Sequence, residues 1–377
     1  MIVLSERDVR ELLDMESCIE AMTEVLASLA RGELFNPLRS IARPPEADTL
    51  LGLMPAYRGG STPAYALKEI VIVPTNPARG LDTHMGGVLL HDGETGELLA
   101  IMNASPITEI RTAAVSAVAT RALARPKAQR VAILGAGAQA RGHVHAMRAV
   151  LDDPEIRIWA RRLETAEELA GEVGATVSPS VDAALFGAEV VCTTTAAKEP
   201  IVEKRWIATG AHVNAVGSCF PTTRELDTET VAHSSFFTDR RESCVNEAGD
   251  YILAVSEGAV GRDHIKAELG EVLAGMHPGR EHEDELTVFE SLGIAVEDLA
   301  SAELVTRRAR ERGVGVEVAF CSRSPTSRPH GSASRERPSA LRSSASSSTT
   351  RRPRSGSSSR ASSPSARSRS GEPRTRS

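Results

Sequence analysis

Residues 131–134 form a short apolar segment, followed at once by small residues whose spacing could bind a phosphate group. The apolar segment is partly β-branched, which predicts a buried strand. Gly135, Gly137 and Ala140 then follow in the pattern G-x-G-x-x-A. The first glycine permits a tight turn, the second lets the backbone approach a pyrophosphate, and the alanine keeps the next helix close to its strand. N–H groups at the start of that helix would face the pyrophosphate. The pattern predicts cofactor-binding residues at Gly135, Gly137, Ala138 and Gln139.

The end of the next strand indicates which dinucleotide would bind. Residues 156–159 predict this strand, at the distance that a βαβ unit needs. An NAD site usually offers Asp or Glu to the ribose hydroxyls here, whereas this chain has Arg161 and Arg162. Two guanidinium groups suit a 2′-phosphate, which favours NADP over NAD as the cofactor. The alternative is that both arginines begin a solvated helix.

The elements around this turn predict an α/β fold with a Rossmann doubly wound parallel sheet, because strand and helix patterns alternate across residues 119–303. Within it, residues 285–312 are predicted to be helical with an interruption at residues 291–293. Residues 1–118 instead begin with the capping-box pattern Ser5 to Asp8 and continue with helices and short strands, which predicts an α+β domain. A last strand, predicted at residues 314–320, would return to that domain and make it discontinuous (residues 304–320).

The amino-acid composition limits the classes of protein to which this chain can belong. Of the 377 residues, 41% are hydrophobic, and no window has the length and apolarity of a membrane span or a signal peptide. The five cysteines are odd in number and lack paired spacing, which favours a reduced cytoplasm. Ten histidines show no metal-ligand pattern, so we expect no metal.

The net charge of −6 is unevenly divided. Residues 321–377 hold 13 Arg and 2 Glu, which leaves −17 for the rest of the chain. An acidic body argues against nucleic acid as a ligand. The Ser/Arg-rich tail itself predicts disorder. Its Ser-Arg dipeptides also allow nucleic-acid binding, and an extended reading frame of a GC-rich gene would give the same composition.

Several linked motifs resemble the ornithine cyclodeaminase/μ-crystallin family over about residues 1–320. They are P-L-R at 37–39, M-P-A-Y at 54–57, L-K at 67–68, T-E-I-R-T-A-A at 108–114, the glycine pattern at 135–140, R-E-L-D at 224–227, N-E-A-G-D at 246–250 and S-L-G-I-A at 291–295. The resemblance implies a homodimer whose substrate/dimerisation domain combines the N-terminal region with the end of the chain. It also implies hydride chemistry with NAD or NADP at the α-carbon of an amino or imino acid.

Three basic residues fit that chemistry, because an α-carboxylate needs an anchor. Arg39 and Arg111 offer fork-shaped donors, and Lys68 could hold the carboxylate or act near the reacting nitrogen. In the family, matching residues line the substrate site, and Arg111 also lies near the cofactor. The alternative for each is a surface ion pair. His84 could act as an acid or base, or be a solvated loop histidine.

The resemblance implies further contacts at matching positions. The substrate-contact position is Leu292. The cofactor-contact positions are Thr83, Thr195, Ser291 and the backbone of Val213, Asn214, Ala215 and Val216.

One position departs from the family's cyclodeaminases, which carry a catalytic Asp in V-G-x-D-x-P. Here the segment reads V-G-S-C-F-P, with Cys219 in place of the Asp, and Thr223 stands where a lysine follows. A thiol replaces a proton-shuttling carboxylate only if its pKa is strongly shifted, and a small buried filler residue is the alternative. We therefore expect an NAD(P)-dependent ketimine reductase or amino-acid dehydrogenase. The alternatives are a cyclodeaminase that uses NAD internally and a μ-crystallin-like protein that binds NADPH and a small ligand.

Overall fold

The computed structural model describes residues 1–320, so the predicted disorder of residues 321–377 lies outside the described residues. The N-terminal elements are β1 (Ile2–Leu4), α1 (Glu6–Leu12), α2 (Met15–Ala30), β2 (Leu34–Phe35), β3 (Ser40–Ala42), β4 (Leu50–Arg58), β5 (Ala64–Ile72), a 3₁₀ helix (Asn76–Arg79), β6 (His84–Asp92), β7 (Leu98–Asn103) and α3 (Ala104–Leu123). The predicted capping box begins α1, since the Ser5 hydroxyl accepts from the backbone N–H of Asp8 and the Asp8 carboxylate accepts from that of Ser5.

The remaining elements alternate between strands and helices. They are β8 (Arg130–Leu134), α4 (Ala138–Val150), β9 (Glu155–Trp159), α5 (Leu163–Val173), β10 (Thr176–Val177), α6 (Val181–Leu185), β11 (Val190–Thr193), a 3₁₀ helix (Lys204–Trp206), β12 (His212–Ala215), α7 (Thr228–Ala232), β13 (Ser235–Thr238), α8 (Arg241–Glu247), α9 (Gly249–Ser256), β14 (Ile265–Glu268), α10 (Leu269–Leu273), β15 (Thr287–Glu290), α11 (Ala295–Arg312) and β16 (Val316–Glu317).

These strands form two sheets. The first has the order β16-β1-β7-β6-β5-β4-β2, with β3 paired to β4, and is antiparallel except where β1 and β7 run parallel. The second is fully parallel, with the order β10-β9-β8-β11-β12-β15-β13-β14. The predicted doubly wound parallel sheet is therefore confirmed. In addition, β16 pairs with β1, so the end of the described chain lies against its beginning.

Helix α3 joins the two sheets, because its alanine-rich surface packs against elements of both. Fifteen of the 20 residues of α3 are buried. Its neighbour α4 approaches closely at Gly142, where an added Cβ would lie 3.2 Å from the Cβ of Ala113. The predicted domain boundaries after residues 118 and 303 fall inside the continuous helices α3 and α11. The division itself stays a prediction.

One predicted element is wrong. The helix predicted from residue 285 begins only at Ala295, and Thr287–Glu290 is instead strand β15, fully buried between β12 and β13. The strand has only four residues, all of them buried, so the sequence shows no period that distinguishes a strand from a helix. None of the helices within residues 1–320 is long and apolar enough to cross a membrane.

Candidate active site

The glycine-rich turn has the geometry that a pyrophosphate requires. Gly135 has a φ of +128°, and an added Cβ would lie 2.5 Å from Thr194 Oγ1, so a side chain is excluded there. Gly137 is the N-cap of α4, has no atom within 4 Å of an added Cβ, and leaves the helix without a side-chain cap. The first N–H groups of α4 are therefore free to bind an anion, and the residues present fit a dinucleotide.

The residues predicted to select the dinucleotide lie one strand away from this turn. Arg161 and Arg162 are both exposed directly beyond the end of β9, and Arg162 is the N-cap of α5. Gln139 lies in the first turn of α4 and donates to the carbonyl of Thr108. These side chains thus occupy the carboxyl edge of the parallel sheet, where open α/β sheets bind nucleotides.

On the other side of β8, the predicted cofactor residues lie in β12 or directly after β11 and β12. Thr195 is half-buried just after β11. The backbones of Val213, Asn214 and Ala215 lie inside β12, which pairs with a strand on each side. Val216 follows the strand, and of these four residues it alone stands at the edge where a cofactor could lie. The contact predictions for all four stay predictions.

The predicted basic residues Lys68 and Arg111 meet in one buried cluster. Lys68 lies on β5 and Arg111 on α3, and both contact Asp298 at the beginning of α11. Lys68 Nζ lies 2.8 Å from Asp298 Oδ2 and 2.9 Å from Oδ1. Arg111 Nε lies 3.2 Å from Asp298 Oδ1, and its Nη1 lies 2.8 Å from Glu297 Oε2. The two acids lie in the first turn of α11, where the helix dipole favours negative charge.

The cluster reaches the carboxyl edge of the parallel sheet through Gly293. This residue follows β15 and has a φ of +72°, and an added Cβ would lie 2.4 Å from Arg111 Nη1. The Arg111 guanidinium therefore packs directly against the loop that follows a central strand. Ser291 and Leu292, which belong to the same loop, are buried.

Arg39 and Asp239 hold this loop from two directions. Arg39 Nη2 donates to the carbonyl oxygens of Leu292 and Gly293 at 2.8 and 3.0 Å, and it pairs with Glu247 at 3.0 Å. Asp239 Oδ2 accepts from the backbone N–H groups of Leu292 and Gly293, both at 2.7 Å. Arg39 thus anchors the loop through one nitrogen, while its other guanidinium nitrogens remain as donors.

The electrostatics of the cluster follow from its burial. Burial, and next the charge of Arg111, lower the pKa of Lys68 to about 8, although Asp298 opposes the shift. Burial raises the pKa of Glu297 to about 8, although Arg111 opposes the shift. Lys68 and Glu297 can therefore change protonation state near neutral pH.

His84 is the first residue of β6, beside this cluster, and Thr83 directly precedes it. His84 pairs in register with Ile72 and Lys68 with Val88, so both side chains belong to the same face of the sheet. The His84 side chain is exposed, yet the surrounding protein and then the charge of Lys68 lower its pKa. At neutral pH the imidazole is thus mainly neutral. Thr83 is half-buried, and its carbonyl accepts from Val73 N–H.

Comparison with known proteins places this site in a family. The family model for ornithine cyclodeaminase/mu-crystallin proteins matches residues 1–313. The chain belongs to this family.

Three similar proteins illustrate the range of the cyclodeaminase/mu-crystallin family. A ketimine reductase mu-crystallin from Mus musculus is 39% identical over 308 residues, which cover 80% of this chain and 95% of that protein. The Δ1-pyrroline-2-carboxylate reductase of Thermococcus litoralis, solved with NADH and L-proline, is 36% identical with a TM-score of 0.80, covering 84% of this chain and 100% of that one. An archaeal alanine dehydrogenase dimer with bound NAD is 31% identical with a TM-score of 0.80, covering 85% and 99%.

Cys219 is the position where this family member departs from the cyclodeaminase motif. Its side chain is only half-buried by neighbouring residues. Burial nevertheless raises the pKa of the thiol, and Arg39 opposes the shift. The thiol is therefore neutral at neutral pH and cannot take the place of an ionised carboxylate.

Five acidic residues at or near the site were given no role by sequence reasoning: Asp239, Glu297, Asp298, Glu225 and Glu247. The first three became recognisable only when folding brought them to Lys68, Arg111 and the loop after β15. Glu225 lies in the R-E-L-D motif, which carried the family resemblance but no assigned chemistry. A pair of acids in the first turn of a helix was the available signal for Glu297 and Asp298, although such a pair is common on surface helices.

Proposed function

We propose that this protein is an NAD(P)-dependent oxidoreductase that reduces the C=N bond of a small α-imino acid, as a ketimine reductase or amino-acid dehydrogenase. The observation that carries the proposal is the buried Lys68–Asp298–Arg111 cluster, which reaches the carboxyl edge of the dinucleotide-binding sheet at Gly293. A pair of buried cations beside a nucleotide edge, with one net positive charge when Glu297 is protonated, suits an anionic substrate that meets a redox cofactor. Names of relatives from Mus musculus and Thermococcus litoralis agree with this chemistry.

In the proposed mechanism the basic residues divide two tasks. Arg111 and Arg39 bind the substrate carboxylate, since their guanidinium groups offer planar pairs of donors. Lys68 holds a proton at Nζ close to the substrate nitrogen, and Asp298 orients it through both oxygens. Bound NAD(P)H supplies the hydride that the α-carbon needs. The C=N bond thereby gains a hydride at carbon and a proton at nitrogen, which gives the α-amino acid. Leu292 and neutral His84 border the site, and His84 can accept a proton in the reverse direction.

The reductase is favoured over a cyclodeaminase by the neutral thiol of Cys219. Loss of ammonia from ornithine needs a group that moves protons and stabilises a cationic amine. Neither a neutral thiol nor Thr223 supplies that group. A cyclodeaminase would release ammonia without net oxidation of NADH, and a binding protein of the μ-crystallin type would bind NADPH without turnover.

The proposal also covers a preference for NADP, a homodimer and a location in the cytoplasm. Arg161 and Arg162 support NADP over NAD, because both are exposed at the strand end where the ribose 2′ group would lie. A homodimer is supported by apolar side chains exposed on the first sheet, on the face away from Lys68: Phe35, Tyr65, Val71 and Met85. An archaeal relative is described as a dimer. Free cysteines among the described residues fit the cytoplasm.

Oxidation of NADPH and NADH by the full-length protein tests the proposal. The substrates are cyclic imino acids, and 2-oxo acids with ammonia or methylamine. We expect oxidation that requires the α-carboxylate, that prefers NADPH, and that falls sharply in Lys68→Ala. Cofactor binding without oxidation of any of these substrates would refute the reductase, and ammonia release from ornithine would then separate the other two functions.

A further inference from the structure

Glu225 forms a buried centre of hydrogen bonds at the carboxyl edge of the parallel sheet, and the proposed mechanism gives it no role. Its side chain is fully buried, and its two oxygens accept four hydrogen bonds. Oε2 accepts from Thr193 Oγ1 and from the backbone N–H of Gly217, both at 2.7 Å. Oε1 accepts from the backbone N–H and the hydroxyl of Thr195, at 2.7 and 2.6 Å. The carboxylate therefore ties the end of β11 to the segment that follows β12.

The backbone around Glu225 is itself held in place. The N–H groups of Glu225 and Leu226 donate to Asp250 Oδ1 at 2.9 and 2.8 Å. The carbonyl oxygen of Glu225 accepts from the N–H groups of Ile201 and Val202. Gly217 packs directly against Thr195 and Glu225 and leaves no room for a side chain. An added Cβ would lie 2.0 Å from the Thr195 carbonyl oxygen and 2.6 Å from the Glu225 carboxyl group. The carboxylate consequently has one position, and all four of its partners are donors.

The strand order indicates which half of a dinucleotide lies above this carboxylate. The order runs β9-β8-β11-β12, and the pyrophosphate-binding turn follows β8. Arg161 and Arg162, beyond β9, mark the adenosine side of that turn. A dinucleotide crosses the carboxyl edge from one side to the other, so its nicotinamide half lies over β11 and β12. Thr195 and Gly217 are the residues at those two strand ends.

We propose that Glu225 is a positioning residue for the nicotinamide half of the cofactor, acting through Thr195 and Gly217. This inference rests on the proposed function, since it requires that the edge binds NAD(P)H. Glu225 fixes the ends of β11 and β12 relative to each other through its hydrogen bonds, and it does not contact the cofactor itself. A glutamine at this site would turn an amide N–H group toward a donor, which would push Thr195 or Gly217 out of place.

Cofactor fragments separate positioning from general stabilisation. In the full-length protein we would compare the Kd of each reduced dinucleotide with the Kd of its fragment, for wild type and for Glu225→Gln. The pairs are NADPH with 2′-phospho-ADP-ribose, and NADH with ADP-ribose. The fragments keep the pyrophosphate and adenosine but lack the nicotinamide ring. We expect Glu225→Gln to weaken binding of the reduced dinucleotide about tenfold or more, because buried donors lose their acceptor, and to leave fragment binding within about twofold.

Glu189 offers a matched control at the opposite edge of the same sheet. Its carboxylate accepts from the backbone N–H groups of Gln129 and Arg130, at 3.0 and 3.2 Å, and so ties the beginnings of β8 and β11. Glu189→Gln should change neither dinucleotide nor fragment affinity. If Glu225→Gln does not fold, Thr193→Val decides the question, because it removes one donor to Glu225 without changing the volume of a fully buried side chain.

The outcomes are distinct. A loss confined to the reduced dinucleotide in Glu225→Gln, or a smaller loss of the same kind in Thr193→Val, supports the positioning role. Equal losses for dinucleotide and fragment, or no loss in either variant, would overturn it. If the wild-type protein binds no nicotinamide dinucleotide at all, the proposed function fails rather than the role of Glu225.

Discussion

Replacing Lys68 and its partner Asp298 separates the catalytic role of their ion pair from its structural role. Lys68→Met leaves the Asp298 carboxylate buried, with Arg111 Nε at 3.2 Å as its remaining cation. Breaking a buried pair from one side typically costs about 3–5 kcal/mol, and because Arg111 remains we expect about 3 kcal/mol. Lys68→Met/Asp298→Asn removes both charges and should regain stability to within about 1 kcal/mol of wild type.

Activity should not recover with stability. Without the Lys68 ammonium the substrate nitrogen loses its proton source, so we expect kcat/KM to fall at least about 100-fold in both variants. Urea unfolding followed by circular dichroism measures the first quantity, and steady-state oxidation of NAD(P)H measures the second.

An ion pair between β4 and α11 provides the control. Arg58 Nη2 lies 2.7 Å from Glu303 Oε1, and the pair is partly exposed. Arg58→Met should therefore cost no more than about 1 kcal/mol and leave kcat/KM unchanged. If the double variant at 68 and 298 regained both stability and activity, Lys68 would be a structural ion pair only and the mechanism would be refuted.

Three further predictions follow from the same geometry. The mechanism requires the acid form of Lys68, and burial lowers the pKa of Lys68 to about 8. In a pH–rate profile, kcat/KM should therefore fall as the pH rises through about 8. A kcat/KM that does not change between pH 7 and 10 would contradict this prediction. The double variant Arg161→Ala/Arg162→Ala should raise the KM of NADPH about 10-fold or more and leave the KM of NADH unchanged, because only NADPH carries the 2′-phosphate. An equal change in both KM values would remove the basis for a preference for NADP. Gly293→Ala should reduce kcat/KM strongly, because the added Cβ would displace the Arg111 guanidinium. Gly313 has a similar φ and open space around it, so Gly313→Ala should lower the free energy of unfolding and leave kcat/KM unchanged.

The parallel sheet and the dinucleotide turn could be predicted from sequence because local patterns determine them. The turn at residues 135–140 depends on glycine geometry within six consecutive positions, and the structure places Gly135 at a positive φ as that pattern requires. The capping box at Ser5 is equally local. By contrast, β15 was mistaken for helix because its strand identity comes from neighbours far away in the chain, β12 and β13.

The partners of the basic residues could not be predicted in the same way. Lys68 and Asp298 are 230 positions apart, and no periodicity links a strand residue to the first turn of a distant helix. The basic residues could be selected because buried cations on apolar elements are unusual. Their acidic partners look like ordinary helix-start residues in the sequence, so only the packing of α11 against β5 and α3 reveals them.

The charges of the cluster also constrain the substrate. A buried ion pair is often no more stabilising than apolar residues of similar volume, so stability alone does not account for Lys68 and Asp298. When Glu297 is protonated, Lys68 and Arg111 face the single charge of Asp298, and the cluster carries one net positive charge. Burial raises the pKa of Glu297 to about 8, which favours this state at neutral pH. One excess positive charge matches one substrate carboxylate, whereas a fully ionised cluster would be neutral and would attract none. In the proposed mechanism the buried acids therefore adjust the site to a substrate with a single α-carboxylate, which Arg111 and Arg39 bind together.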